Sequence, residues 1–198
     1  IRQVGDIGRM VDEFSAFARM PAAEMKTENL CQIVRQAIFA EEFAHKDISY
    51  QVECPEDTIF VRCDAGHMSR LLTNLLQNAE EAIEGRLSAD DGAHKPGVIA
   101  VAVWGDEHGV KLTIRDNGIG LPADGRERLT EPYVTNREKG TGLGLAIVKK
   151  IMEEHGGRMY LDDAPDGGAE IRLSFPPLND DVQNNDEDVK MSGIDYGA

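Results

Sequence analysis

The chain has 198 residues, enough for one ordinary domain with short appendages, and its 41% hydrophobic content suffices for a core. A formal net charge of −15 repels phosphate backbones and anionic lipid, which disfavours nonspecific nucleic-acid binding and docking to membrane surfaces. No apolar run reaches membrane-spanning length, and Cys31, Cys54 and Cys63 are too few and too irregular for a disulfide framework or a zinc site; they read as reduced, buried thiols of a cytosolic protein.

Ile1 begins in the middle of a helical pattern, as expected of a fragment of something longer. Val4, Ile7, Val11, Phe14 and Ala18 recur at helical spacing, Met10 and Phe17 widen the stripe, and Pro21 ends the helix. A second amphipathic helix is expected over residues 28–44, with Leu30, Ile33, Val34, Ala37, Ile38 and Phe43 on its apolar face. Strands follow at Ile48 to Val52 and Ile59 to Cys63, separated by Pro55. Asp64 suits the N-cap of a third helix, in which the apolar run from His67 to Ile83 sets Asn74 and Asn78 on one face.

A Gly/Asp/Pro-rich connection from Gly85 to Gly97 leads into Val98 to Trp104, a short turn at Asp106 to Gly109, and the alternating strand Val110 to Arg115. These read as an antiparallel meander. Beyond Asp116-Asn-Gly-Ile-Gly120, the stretch from Leu121 to Lys139 reads as a mobile lid, and Gly140-Thr-Gly-Leu-Gly144 opens a helix over 143–155. A strand from Arg158 to Leu161, a Gly167-Gly168 turn and a last strand over 169–175 complete the pattern. The fold class is α/β: a sandwich with helices on one face of a mixed, largely antiparallel sheet. After Pro177 the chain is acidic with little to bury and should be a flexible tail.

Three segments carry the chemistry. Asn74 and Asn78, one turn apart, present two amides that can reach one ion. Asp116 ends a strand, and Gly118 and Gly120 allow the chain to turn sharply behind it. Gly140, Gly142 and Gly144 lead into a helix whose first N–H groups form an anion site. Each alone is weak, because glycines before a helix often make only a tight turn and Asp before Asn-Gly often only caps one. No Gly-x-x-x-x-Gly-Lys-Ser/Thr occurs, and the last glycine cluster follows a charged loop, not a strand, so neither a P-loop nor a dinucleotide fold fits.

In this order the segments resemble the ATP-binding domain of bacterial sensor histidine kinases, within the gyrase, Hsp90, kinase and MutL superfamily. Residues 74–78 match its N box, 116–120 its G1 box and 140–144 its G2 box, and the likeness covers roughly residues 28–176. Residues 1–20 are similar to the second dimerisation helix of nitrogen-regulation kinases of the NtrY type. The resemblance implies a truncated hairpin helix over 1–22, an ATP-binding catalytic domain over 28–176 and an acidic tail over 177–198.

It also implies roles. Asp116 would accept a hydrogen bond from the adenine amino group, with Gly118 and Gly120 against the ring. Asn78 would ligate Mg²⁺, and the phosphates of ATP would lie at Gly142, Leu143 and Gly144, beside Gly140 and Thr141. Arg137 and Lys139 in the lid are candidate phosphate cations. Asn74 stands where hydrolysing relatives carry a glutamate, and a neutral amide cannot take a proton from water. Glu131-Pro-Tyr-Val-Thr135 resembles the F box, with departures at Leu129-Thr130 and Thr135-Asn136-Arg137; Glu81 replaces a basic residue common in relatives.

None of His45, His67, His94, His108 or His155 sits in a His-Glu/Asp-x-x-Asn/Thr-Pro box, so this chain should bind ATP without phosphorylating itself. His155 reads as a helix exit and the other four as surface residues. The implied whole protein phosphorylates its own histidine and passes the group to the receiver domain of a response regulator. It would work as a homodimer from the cytoplasmic side, with anchoring in the bacterial inner membrane left open. Rival readings are a hydrolysing ATPase or serine-directed kinase of the same fold, opposed by Asn74, and a nucleotide-sensing scaffold.

Overall fold

The computed structural model describes residues 19–55, 58–89, 95–135 and 141–178. The stripe through Ala18, the cations Arg137 and Lys139, Gly140 and the tail from Asn179 lie outside the described residues.

The sheet is built from β2 (Ile48–Glu53), β4 (Gly97–Asp106), β5 (Gly109–Asp116), β6 (Arg158–Asp163) and β7 (Ala169–Phe175), in the order β2-β4-β5-β7-β6. The β2–β4 pairing is parallel and the other three are antiparallel. Period-two alternation decides which face is covered: Ile99, Val101 and Val103 of β4 face Asp116, Ile114 and Leu112 of β5 across the register, and all six are buried. The next strand continues that face with Ile171 opposite Ile114 and Leu173 opposite Leu112. Trp104 stands at the margin of the uncovered face, 37% exposed.

Helices α1 (Leu30–Ala44), α2 (Ala65–Ala89) and α3 (Gly144–Glu154) cover the sheet. The core is contiguous: Leu30, Val34, Leu71, Leu72, Leu75, Leu76, Leu143 and Ile147 meet Ile99, Leu112 and Leu173 from the sheet. Asp64 caps α2 as its sequence suggests, its Oδ1 accepting from the His67 N–H at 2.9 Å. Burial works against its charged form, but backbone N–H groups of His67 and Glu24 outweigh burial and hold the carboxyl below its usual range. Among the described residues no helix is long and apolar enough to cross a membrane.

Three expectations are corrected, and the strand expected from Ile59 to Cys63 is found in an unforeseen place. The helix expected over 28–44 starts at Leu30, because Lys26–Asn29 form β1; Asn29 then caps the helix through the Gln32 N–H. β3 (Phe60–Cys63) is not a member of the main sheet but pairs antiparallel with β1 in a separate ribbon. Phe43 is 79% exposed: five residues past Ile38 a helix has turned about 140° from its apolar stripe, and the stripe continues instead through Glu41 and His45. His67 is buried and not at the surface, since the first turn of α2 lies against the end of α3, with the rings of His67 and His155 5.9 Å apart.

Candidate nucleotide site

Three residues one turn apart on α2, Asn74, Asn78 and Ala82, form the floor of the site. Asn74 Nδ2 donates to the Arg70 carbonyl at 2.8 Å, which directs the remaining amide oxygen outward from the helix. The first residue of α3 sits directly over the pair. A methyl group at Gly144 would lie 3.2 Å from Asn74 Oδ1 and 3.4 Å from Asn78 Nδ2. Leu143, fully buried, anchors that helix start, and its N–H bonds to Thr141 Oγ1 at 3.4 Å.

The loop after β5 rests on the same helix at Ala82. A Cβ at Gly118 would come within 2.5 Å of the Ala82 carbonyl carbon, so only glycine fits, and the Ile119 N–H donates to the Ala82 carbonyl at 3.1 Å. Asp116 occupies a core-facing position in β5 where the pattern Val110, Leu112, Ile114 would otherwise continue. It is 9% exposed, and its Oδ1 accepts from the Gly118 N–H at 2.8 Å and the Ala169 N–H at 3.3 Å. These bonds fix the carboxylate plane at the mouth of the sheet, as an acceptor pointed by backbone donors.

Three supporting groups lie outside the set inferred from sequence. Asn117 staples the loop to β4, accepting from Val98 N–H at 2.9 Å and donating to the Pro96 carbonyl at 2.8 Å. Gly168, at φ 91°, lies so close to the Asp116 carbonyl that a Cβ would sit 2.0 Å from its oxygen. Tyr133, at φ 67°, donates its N–H to the Gly142 carbonyl at 3.1 Å, and Gly142 at φ 71° leaves a Cβ no space beside Tyr133 and Val134. The signals were faint: Asn-Gly in a turn, a Gly-Gly pair and a Pro-Tyr in the lid are common in loops of every kind.

The structure therefore brings together Asn74, Asn78, Gly142, Leu143 and Gly144 at one junction, and Asp116, Gly118 and Gly120 at the neighbouring one, joined by a single edge of α2. Thr141 borders the first; Arg137, Lys139 and Gly140 are outside the described residues. The donor set suits a nucleotide with its cation. A helix start suits phosphates, Asp116 is a buried acceptor, and the Asn78 amide oxygen is the hard ligand that Mg²⁺ prefers.

A cradle made of a paired-amide helix, a strand-end aspartate and a glycine-started helix defines an ATP-binding α/β sandwich. The family described as histidine kinase-, DNA gyrase B- and HSP90-like ATPase matches residues 63–179. The chain belongs to this family, as an ATP-binding catalytic domain of the sensor histidine kinase type. It is 48% identical over 97% of its length to the nitrogen regulation protein NtrY of Azorhizobium caulinodans, covering 24% of that protein. The catalytic domain of histidine kinase ThkA, nucleotide-free, is 26% identical with a TM-score of 0.64, covering 77% of this chain and 95% of that domain. Full-length ShkA in complex with AMPPNP is 26% identical with a TM-score of 0.67, covering 89% of this chain and 38% of that one. The chain spans about a quarter of the length of the curated relatives it matches.

Proposed function

We propose that residues 28–176 bind ATP with Mg²⁺ and present the γ-phosphoryl to a histidine outside this chain, from which it passes to an aspartate of a response-regulator receiver domain. The strand at Lys26–Asn29 pairs with Phe60–Cys63 of this domain. Residues 1–22 supply the second helix of a dimerising hairpin and 177–198 an acidic tail, in a protein that acts as a homodimer on the cytoplasmic side. The observation carrying the reading is the shared helix edge: the asparagine pair, the glycine start of α3 and the Asp116 loop converge on it.

Each residue has a task. Asp116 accepts from the adenine amino group, and its negative charge rejects the carbonyl that guanine presents there. Gly118 and Gly120 let the loop pack close on Ala82 and Gly168, so that its backbone lies against the ring. The α3 N-terminus, with Thr141 to Gly144, receives the phosphates through its backbone N–H groups and the helix dipole. Asn78 holds Mg²⁺, which supplies charge neutralisation on the phosphates when bound. Asn74 offers no base for water, so the γ-phosphoryl is preserved, and its amide orients the incoming imidazole, already nucleophilic when neutral. Arg137 and Lys139 add cations from the lid.

Calorimetric titration with ATP, with and without Mg²⁺, followed by a phosphate-release assay on the same sample, tests this. Binding with negligible release, and phosphate transfer to a supplied acceptor-histidine hairpin, is the expected result. Brisk release would instead mark a hydrolysing ATPase, and absence of binding would mark a scaffold.

A further inference from the structure

On the side of α2 turned away from the nucleotide, a second polar cluster interrupts the core. The inward stripe of α1 runs Leu30, Val34, Ile38, all buried, and its next two positions are Glu41 and His45. His45 caps the end of α1, its N–H donating to the Glu41 carbonyl at 2.9 Å, which sets the two residues one turn apart. They meet Glu80 of α2, a carboxylate only 3% exposed and two residues beyond Asn78, hence rotated about 200° from it. Its Oε2 lies 3.4 Å from His45 Nε2, and its Oε1 accepts from the Tyr50 hydroxyl of β2 at 2.7 Å. One donor atom each from Glu41, His45 and Glu80 falls within 4.8 Å of the others.

We propose that Glu41, His45 and Glu80 form a site for a divalent transition-metal cation, best matched by Zn²⁺, that ties the end of α1 to the back of the nucleotide-binding helix. Buried carboxylates are ordinarily paired with a cation or bound to a metal. Among the described residues the recorded partners of Glu80 are a neutral phenol and a histidine, neither a fixed charge.

One imidazole nitrogen and two carboxylates leave a fourth tetrahedral position for water. The 3.4 Å between His45 and Glu80 already equals the edge of a zinc tetrahedron, about 3.3 Å for bonds of the usual length. Tyr50 acts behind the ligand, fixing the carboxylate by its second oxygen. Lys46 does not compete, since its ammonium lies over the Phe43 ring, 5.9 Å from the centroid. A chain of net charge −15 also concentrates dications at its surface.

The test uses the whole chain with Cys54→Ser to remove the half-buried thiol, stripped by chelator and free of nucleotide. Zn²⁺ is titrated against a chromophoric chelator, and Co²⁺ is added as a spectroscopic probe. The expected result is one Zn²⁺ per chain, tetrahedral Co²⁺ absorption, and proton release seen as a dependence of binding heat on the buffer. His45→Ala and Glu80→Gln should each weaken binding by at least tenfold, with folding checked by circular dichroism. Asp116→Asn should bind Zn²⁺ as the parent does, and His45→Ala should bind ATP as the parent does, so this site and the nucleotide reading fail separately. No stoichiometric Zn²⁺, or affinity unchanged in both site variants, would overturn the proposal.

Discussion

Gly118 has no room for one methyl group, because α2 passes within 2.5 Å of where its Cβ would stand. Gly118→Ala must push the loop off Ala82, and we expect a loss of roughly 1–3 kcal/mol, the usual cost of overpacking, together with weaker ATP binding. Denaturant unfolding and ATP titration of one sample measure both. Asp116→Asn is the opposite kind of change. It keeps shape and both backbone contacts through its carbonyl oxygen but removes the charge, so ATP affinity should vanish while the unfolding midpoint moves little. Retained affinity would dismiss the adenine role.

His155 gives a pH dependence with a definite sign. Its Nε2 accepts from the Asp64 N–H at 3.0 Å, and its Nδ1 faces the Ile151 carbonyl at 2.7 Å, so the proton sits on Nδ1 and the ring is neutral. Burial lowers its affinity for a second proton, with the Ile151 contact opposing that shift. The unfolded chain, with an ordinary histidine near about 6.5, therefore binds more protons in the window below that value. The contribution is complete above about pH 6.5 and is lost as pH falls toward the lower folded value. Denaturation midpoints at pH 7.5 and 5.5 should show the fall, and His155→Gln should flatten it.

At the scale of elements, the connection from β5 to α3 is tethered at both ends. Arg126 pairs with Asp163 of β6 at 2.8 Å, and Gly142 accepts from Tyr133. The exposed ion pair contributes little, so Asp163→Asn should change stability by less than about 1 kcal/mol. Gly142→Ala places a Cβ in the left-handed region and 2.7 Å from the Tyr133 carbonyl carbon, which costs roughly 1–2 kcal/mol before any clash. Because the strain falls where α3 begins, we expect ATP affinity to drop by about tenfold with the core intact. Titration beside a thermal melt distinguishes this from general destabilisation.

At the scale of the molecule, one apolar layer among the described residues joins three helices to a five-stranded sheet, and the site rests on it through Leu143. Leu76, fully buried two residues before Asn78, tests this. Leu76→Ala should cost about 2–5 kcal/mol, yet the fraction still folded should bind ATP normally. A calorimetric stoichiometry that falls with the folded fraction, at constant affinity, is the expected signature.

Apart from the strand at Lys26–Asn29, the order of elements, the asparagine face and the capping aspartate were legible from sequence, because helix and strand periods are local properties of a chain. The alternation of β5 was legible for the same reason. Tertiary structure alone decided that β3 leaves the sheet to pair with β1, that β2 joins β4 in parallel, and that His67 is buried. It also turned Asp116 into a positioned acceptor and set Gly144 against Asn74 and Asn78. Such pairings depend on which distant surfaces exclude water together, and no local pattern in the chain encodes that choice.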